Sequence, residues 1–272
     1  MKKILVIGGN GKTGRRVIER LNKLNYETRN GSRSTNPSFD WNDPATWDNA
    51  LQGMDAVYIT YQPDLAVPGA VETIKLLTEH AKNNGIKKLV LLSGRGEKEA
   101  QTCENIVLNS GIDSTVVRAS WFNQNFSESF LLEPIQAGHV ALPIDSVKEP
   151  FIDSDDIADV VVESLLNNGH SGEVYEITGP ELLTFKEVFE IISKETGREI
   201  QFHPITMDEY EAMMKELQIP DDYIWLIKYL FTEVMDGRNE STTDTIEKVL
   251  GRKPKSFREY VAETAKTNIW NN

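Results

Sequence analysis

The N-terminal stretch Lys2–Leu24, KKILVIGGNGKTGRRVIERLNKL, carries the pattern that decides the fold. Its apolar run Ile4–Ile7 is typical of a strand that is buried on both faces of a parallel sheet. Over Val17–Leu24 the apolar residues recur at helical spacing, which places them on one face of a helix. The glycine-rich segment Gly8–Gly14 separates the two patterns. The sequence therefore predicts a strand, a tight turn and a helix in immediate succession.

The spacing of the glycines in this turn distinguishes between nucleotide-binding motifs. A P-loop requires a glycine five positions before Gly11, and Val6 occupies that position. Gly9, Gly11 and Gly14 fit G-x-G-x-x-G, which places a pyrophosphate at the helix N-terminus. The alternative is a strand-to-helix turn with a purely structural role. The dinucleotide interpretation assigns these residues to the cofactor: Gly8, Asn10, Gly11, Lys12, Thr13 and Gly14.

The loop after the second predicted strand, Tyr26–Asn30, is suited to a ribose phosphate. In a Rossmann fold an acidic residue about 20 residues beyond the glycine turn binds the ribose 2′-hydroxyl and disfavours a 2′-phosphate. This chain instead has Arg33 between Ser32 and Ser34, three hydrogen-bond donors that suit a phosphate. The alternative is a solvated arginine in a polar loop. We therefore predict NADP as the cofactor, and NAD as the less favoured one.

Two further predicted strands end near the cofactor. Ser38–Trp41 is predicted as a third strand, and it would bring Asp40 and Trp41 near the adenine ring. Asp55–Thr60 is predicted as the next strand, and ligands bind at the carboxyl ends of the strands of an open α/β sheet. The cofactor-binding residues expected at that strand end are Thr60, Tyr61 and Gln62.

The alternation of strand and helix patterns along most of the chain indicates the fold class. It predicts an α/β protein with a doubly wound parallel sheet, the Rossmann fold. Near Gly179 the alternation gives way to mainly helical patterns, which begin with a capping box over Thr184–Glu187. We expect an NAD(P)-binding domain over residues 1–180 and a smaller, mostly helical substrate lobe over residues 181–272. Residues 121–150 are expected to contribute to that lobe.

Composition excludes several classes of protein. The net charge of −13 argues against binding to nucleic acid or to anionic membrane surfaces, because both attract clustered lysine and arginine. No apolar run approaches the length of a membrane span. The single cysteine, Cys103, excludes an internal disulfide and fits a reducing compartment, so we expect a cytoplasmic protein. The four histidines lack ligand spacing, and no metal site is predicted.

Several blocks of the sequence resemble the NmrA-like branch of the atypical short-chain dehydrogenase/reductases. They are GGNGKTG at 8–14, CENIVLNSGIDSTVVRASWFNQNF at 103–126, the run 150–198, and GRKP at 251–254. The resemblance implies a Rossmann domain that binds NAD(P) and a small C-terminal lobe placed over the substrate. It also implies one of two activities, because some members of the family are reductases of quinones or other small molecules and others are redox-sensing regulators.

The resemblance further implies roles for residues in the middle of the chain. It places Ser93 beside the nicotinamide half of the cofactor, as a cofactor contact and as the candidate catalytic residue. Arg95 in the same loop, together with Trp121 and Phe122, is assigned to the substrate. The alternative is that Ser93 and Arg95 merely end a strand and cap a helix, and that the two aromatic residues are core.

The catalytic pair of the wider superfamily is missing from this chain. The resemblance places its Tyr-x-x-x-Lys motif at Gly96 and Ala100. That tyrosine would donate a proton to a carbonyl oxygen, so reduction of ordinary ketones is disfavoured. A quinone or iminium acceptor needs less proton assistance, since the nicotinamide itself carries the hydride chemistry.

Three functions stay open at this point. The first is an NAD(P)H-dependent oxidoreductase that transfers hydride to a small acceptor, such as a quinone. The second is a non-catalytic NADP-binding redox sensor that acts through a protein partner, which the missing tyrosine and lysine favour. The third, a nucleotide-sugar epimerase-like enzyme, rests on fold analogy alone. The oligomeric state is not predicted.

Overall fold

A computed structural model describes residues 2–271, and their contacts group the chain into two compact units. Unit 1 comprises the chain through Ala119, then Ser154–Ile177 and Thr245–Arg252. Unit 2 comprises Ser120–Asp153, Thr178–Asp244 and the chain from Lys253 onward. Each unit is therefore assembled from separate stretches of sequence.

The secondary structure alternates between strands and helices through unit 1. In chain order the strands are β1 (Lys3–Ile7), β2 (Glu27–Gly31), β3 (Ala56–Ile59), β4 (Lys88–Gly94), β5 (Asp113–Ala119), β6 (His139–Leu142), β7 (Lys148–Glu149), β8 (Val174–Ile177), β9 (Leu183–Thr184) and β10 (Gln201–Pro204). The α-helices are α1 (Lys12–Lys23), α2 (Trp47–Leu51), α3 (Ala70–Asn83), α4 (Lys98–Leu108), α5 (Leu132–Ala137), α6 (Ser154–Leu166), α7 (Phe185–Thr196), α8 (Met207–Glu216), α9 (Asp221–Tyr229), α10 (Thr245–Leu250) and α11 (Phe257–Ala265). Short 3₁₀ helices lie at Pro44–Thr46 and Asn123–Phe126, and a π-helical turn lies at Leu230–Val234.

Unit 1 is built on a six-stranded sheet with the order β2-β1-β3-β4-β5-β8. Every neighbouring pair in this sheet is parallel. The central strands carry continuous apolar runs, and Ile4–Ile7 and Ala56–Ile59 are fully buried because helices cover the sheet. Helix α1 packs beside α6, and α3 packs beside α4. The predicted fold class, a doubly wound parallel sheet of the Rossmann type, is confirmed.

The strand predicted over Ser38–Trp41 is wrong. The segment forms only an isolated bridge between Asp40 and Asp43. Its backbone is used locally, since the Phe39 amide donates to the Ser32 carbonyl at 2.9 Å and the Asp40 carbonyl accepts from the Trp47 indole at 2.6 Å. Phe39 stacks on Trp47 and is 2% exposed. The alternation of aromatic and polar residues therefore reflects a local aromatic cluster, and not a sheet.

An acidic run at the start of α6 is held by arginines. Arg20 of α1 contacts Asp155 at 2.9 Å and also pairs with Asp159. Arg252, which follows α10, contacts the buried Asp156 at 2.6 Å and pairs with Asp159 as well. These ion pairs join three helical segments of unit 1 that are far apart in sequence.

Unit 2 has an aromatic core and two small sheets. Strand β6 pairs with β10 in parallel, and β7 pairs with β9 antiparallel. Phe126 lies at the centre of the core, where its ring contacts those of Phe151, Phe185 and Phe257. The capping box predicted at Thr184 is confirmed, because Thr184 accepts from the Glu187 amide and the Glu187 carboxylate accepts from the Thr184 amide. No helix within residues 2–271 is long and apolar enough to cross a bilayer.

The end of the chain closes the core of unit 2. Trp270 is 1% exposed, and its indole N–H donates to the Phe126 carbonyl at 2.7 Å. Substituting Trp270→Phe keeps an aromatic ring but leaves that buried carbonyl without its donor. We expect a loss of about 1–3 kcal/mol in the free energy of unfolding, measured by urea denaturation followed by near-UV circular dichroism.

The neighbouring substitution Ile269→Ala serves as the control, since Ile269 is 36% exposed. It should change stability by less than about 0.5 kcal/mol. Equal unfolding midpoints for wild type and Trp270→Phe would contradict the role given to the indole.

Candidate functional site

Three glycines of the segment Gly8–Gly14 have no room for a side chain. Gly8 has φ +75°, and a Cβ there would lie 2.1 Å from the Thr60 hydroxyl. A Cβ on Gly14 would lie 2.2 Å from the Gly8 carbonyl oxygen, and one on Gly9 would lie 2.3 Å from Asn30 Oδ1. Gly14 therefore requires glycine because the backbone of Gly8 lies against it, and Gly8 favours glycine through its positive φ as well as its contact with Thr60. This is the geometry that the dinucleotide motif demands.

At the start of α1, no side chain offsets the positive end of the helix dipole. Gly11 is the N-cap of α1, no side chain caps the helix, and no acidic residue lies in its first turn. Thr13 is buried, and its hydroxyl accepts from Tyr58 at 2.9 Å. The exposed Asn10 accepts from Asn30, and the Lys12 carbonyl accepts from Arg16. A helix N-terminus with this composition favours an anion.

The loop after β2 presents a single exposed guanidinium. Arg33 makes no hydrogen bond or ion pair with any residue in the described range 2–271. The hydroxyls of Ser32 and Ser34 lie on either side of it in sequence and are 3.1 Å apart. Arg29, by contrast, donates to carbonyls at the end of α2, including Ala50 at 2.7 Å. Arg29 therefore has a structural partner, whereas Arg33 is available to a ligand.

Two of the predicted cofactor residues, Trp41 and Tyr61, are in contact with each other. The ring of Trp41 lies 4.8 Å from that of Tyr61 in an edge-on contact, and both residues are partly exposed. The Asp40 carboxylate accepts from the Asn42 amide within its own turn. Thr60 donates to the Ile7 carbonyl at 3.0 Å, whereas Gln62 is exposed.

Ser93 and Arg95 lie in a chain of polar contacts across the carboxyl end of the sheet. Ser93 is paired in register with Arg118 of β5, which is paired with Glu176 of β8. The Ser93 hydroxyl donates to the buried Glu104 at 2.6 Å, and Arg118 binds both oxygens of that carboxylate. Arg95 donates to Glu176 at 2.8 Å. Both predicted residues therefore hold an acidic partner.

The positions that would carry the Tyr-x-x-x-Lys pair offer no proton donor. Gly96 has φ +85°, and Ala100 is fully buried in α4. The nearby Cys103 is buried as well, and burial raises the pKa of its thiol to about 11. The thiol is therefore neutral near pH 7 and is a poor nucleophile.

Sequence reasoning missed a pair of carboxyl groups at this end of the sheet. Asp64 follows β3 and Glu97 follows β4, and their side chains hydrogen-bond to each other. Burial raises the pKa of both groups, and the charge of Asp64 raises that of Glu97 further. Two carboxyl groups in contact share one proton, because both cannot be charged at once. No spacing links them in sequence, since only the pairing of β3 with β4 brings them together.

The shared proton makes the stability of unit 1 depend on pH. The folded protein keeps a proton on the Asp64–Glu97 pair that the unfolded chain loses above the ordinary carboxyl pKa of about 4.5. Stability should therefore fall as the pH rises above that value, by up to about 1.4 kcal/mol per pH unit. Glu97→Gln removes one titrating group. The melting temperature of the variant minus that of the wild type should therefore increase from pH 5 to pH 9.

Glu79→Gln is the control, since Glu79 is exposed in α3 of the same unit. Its melting temperature should follow that of the wild type across the pH range. Parallel curves for Glu97→Gln and wild type would show that the pair does not share a proton.

Trp121 and Phe122 follow β5 in an extended segment of unit 2. The Trp121 carbonyl accepts from the Ile152 amide at 2.9 Å, and Phe122 forms a parallel bridge with Ile152. The Trp121 ring packs 6.1 Å from Phe185 and 5.8 Å from Phe231. Both candidate substrate residues remain partly exposed.

The chain is similar to known proteins along nearly its whole length. Prestalk A differentiation protein A of Dictyostelium discoideum is 30% identical over 278 residues, covering 96% of this chain and 92% of that protein. Agroclavine dehydrogenase of Claviceps fusiformis is 28% identical and covers 98% of each chain.

The fold also matches solved structures. The NADPH-dependent quinone oxidoreductase QOR2 of Escherichia coli, complexed with NADPH, superposes with a TM-score of 0.80 at 20% identity, covering 96% of this chain and 99% of that one. A likeness at this identity supports the Rossmann-type fold and nothing finer. The model of the NmrA-like family matches residues 1–262, and the chain therefore belongs to the NmrA-like family.

Proposed function

We propose that this chain is an NAD(P)H-dependent oxidoreductase that prefers NADP and transfers hydride to a small planar acceptor, such as a quinone. The observation that carries the proposal is the glycine turn of unit 1, which leaves the start of α1 without a side-chain cap, together with the exposed and unpaired Arg33. Its relatives support the reaction class, since one is named a dehydrogenase and a structural neighbour is named an NADPH-dependent quinone oxidoreductase.

The residues of unit 1 fit a dinucleotide phosphate. The turn Gly8–Gly14 would hold the pyrophosphate at the start of α1, where the helix dipole favours negative charge. Arg33 with the Ser32 and Ser34 hydroxyls would hold a 2′-phosphate, because a guanidinium donates several hydrogen bonds to phosphate oxygens. Trp41 and Tyr61 would border the adenine ring. The bound nicotinamide supplies the hydride chemistry.

The protein groups around the nicotinamide favour an acceptor that needs little proton assistance. Ser93 is the predicted contact on that side, and its hydroxyl donates its proton to Glu104. Gly96 and Ala100 supply no acid. A quinone suits such a site, since its reduced oxygen is a weakly basic phenolate that takes a proton from water.

We infer a reducing compartment, which suits the neutral buried thiol of Cys103.

Arg33→Ala tests the cofactor preference. Loss of hydrogen bonds to a charged phosphate should weaken NADPH binding about 10- to 100-fold, while NADH binding should change by less than about threefold. Isothermal titration of both nucleotides measures the two effects. Arg258→Ala is the charge-matched control, since Arg258 is also exposed and lies in unit 2. Equal losses for NADPH and NADH would remove the role of Arg33 in selecting the 2′-phosphate.

Turnover tests the reaction class. With saturating NADPH, absorbance at the nicotinamide band should fall when a quinone is added, and a panel of iminium ions, azo dyes and enones defines the range of acceptors. Tight NADPH binding without oxidation by any of them would overturn the enzyme proposal and leave the non-catalytic redox sensor. Failure to bind either nucleotide would exclude both functions.

A further inference from the structure

Among residues 2–271, the Ser93 hydroxyl donates one hydrogen bond and accepts none. It donates to Glu104 Oε1 at 2.6 Å. Ser93 is 4% exposed, so its hydroxyl is largely removed from solvent. A hydroxyl oxygen has two lone pairs, and buried polar groups usually use their hydrogen-bonding capacity. Ser93 Oγ therefore keeps an unused acceptor position near the carboxyl end of β4.

Glu104 fixes the direction of this hydrogen bond. Its side chain is 3% exposed, and Arg118 donates to both of its oxygens, at 2.9 and 2.5 Å. The hydrogen bond to Glu104 raises the pKa of the Arg118 guanidinium above its ordinary value, as expected for a charged pair. An ionised carboxylate can only accept hydrogen bonds, so the proton between Ser93 and Glu104 belongs to the serine. While Glu104 holds that proton, Ser93 can offer a ligand only its lone pairs.

The position of Ser93 in the sheet relates it to one half of a dinucleotide. In the proposed function, the turn after β1 holds the pyrophosphate and Arg33 after β2 holds the 2′-phosphate. The strand order is β2-β1-β3-β4, so the nicotinamide half would extend away from β2, over β3 and β4. Ile59 at the end of β3 pairs with Leu91, and Ser93 lies two residues beyond Leu91, about 7 Å further toward the carboxyl edge.

We propose that Glu104, held by Arg118, orients the Ser93 hydroxyl so that Ser93 Oγ accepts a hydrogen bond from the NH₂ group of the nicotinamide carboxamide. All three side chains belong to unit 1. The inference rests on the proposed binding of NADP by that unit, and it involves no hydride acceptor. Ser93 then holds the nicotinamide ring in one orientation and does not act as a proton donor. Glu104 and Arg118 are positioning residues, since they act through Ser93.

Two groups in the nicotinamide half of the cofactor carry suitable donors, the carboxamide NH₂ and the ribose hydroxyls. The carboxamide lies at the far end of that half, beyond the ribose, which matches the distance of β4 from β1. Analogues of NADP separate the two groups. The acetylpyridine analogue replaces the NH₂ by a methyl group and keeps the carbonyl oxygen and the ribose. The thionicotinamide analogue keeps the NH₂ and replaces the carbonyl oxygen by sulfur.

The test measures the affinity of NADP and of both analogues by isothermal titration. Wild type should bind the acetylpyridine analogue about 3- to 10-fold more weakly than NADP, because one hydrogen bond is lost. It should bind the thionicotinamide analogue within about twofold of NADP, since the donor is kept. Ser93→Ala should bind all three ligands within about twofold of one another, because alanine has no acceptor.

Glu104→Met tests the positioning role. The variant removes the carboxylate at similar side-chain length, and Arg118 keeps its contact with Glu176 at 3.3 Å. The Ser93 hydroxyl is then free to rotate, so it can donate to the carbonyl oxygen of the acetylpyridine analogue. The preference for NADP over this analogue should therefore fall below about twofold. Loss of a purely structural contact would instead weaken all three ligands by the same factor. Ser93→Ala leaves the ion pair intact and tests the acceptor even where Glu104→Met does not fold.

Ser114→Ala is the matched control. Ser114 is a serine of β5 that is 2% exposed, and its hydroxyl donates to the Ile112 carbonyl at 2.9 Å. It pairs in register with Leu89 near the amino ends of the strands, away from the carboxyl edge. The variant loses a buried hydroxyl of the same sheet and should keep the wild-type preference among the three ligands.

Equal affinity of wild type for NADP and the acetylpyridine analogue would overturn the proposal and leave the cofactor role of unit 1 intact. Equal losses for all three ligands in Ser93→Ala would also overturn it, since a ribose hydroxyl would then be the donor. A wild-type preference that Glu104→Met retains would refute the positioning role. Failure of wild type to bind NADP would refute the proposed function and this inference together. By contrast, a preference that depends on Ser93 and Glu104 in a protein that oxidises no NADPH would sustain the inference and refute only the reductase function.

Discussion

The constraint on which unit 1 depends is the contact between two glycines. Gly14, in the first turn of α1, lies so near the Gly8 carbonyl that a Cβ there would be 2.2 Å from the oxygen. This approach lets the helix begin within a few residues of β1 and return directly over the sheet. It also leaves the helix start without a side-chain cap, so that the backbone of the turn would meet a phosphate in the proposed function. Packing of unit 1 and the proposed recognition of the cofactor thus depend on the same absent Cβ.

At the carboxyl end of the sheet, polar side chains bind one another, and Gly96 and Ala100 stand where the wider superfamily has its catalytic tyrosine and lysine. The strands place Ser93, Arg118 and Glu176 side by side, and Glu104 of α4 binds two of the three. These charges neutralise one another, so the polar groups of the strand ends are held in fixed positions. A fixed arrangement of this kind favours an acceptor that the protein must orient but need not protonate.

Local pattern predicted what local forces determine, and long-range contacts account for the rest. The apolar run of β1, the helical spacing in α1 and the Thr184 capping box depend on neighbours in sequence, and all three were predictable. Ser38–Trp41 has the alternation of a strand, but Phe39 stacks on Trp47 and the segment joins none of the sheets. The Asp64–Glu97 pair and the ion pairs of α6 arise from strand order and helix packing. No periodicity in the sequence indicates these long-range contacts.

The ion pairs of α6 also bear on how the protein is made. Arg252 belongs to unit 1 although the segments around it in sequence belong to unit 2. It pairs with Asp156, whose side chain is 1% exposed. During translation, Asp156 emerges from the ribosome long before Arg252 does. A nascent chain therefore carries an acidic helix whose guanidinium partner has not yet been synthesised, and the ion pair with Asp156 forms only after Arg252 has left the ribosome.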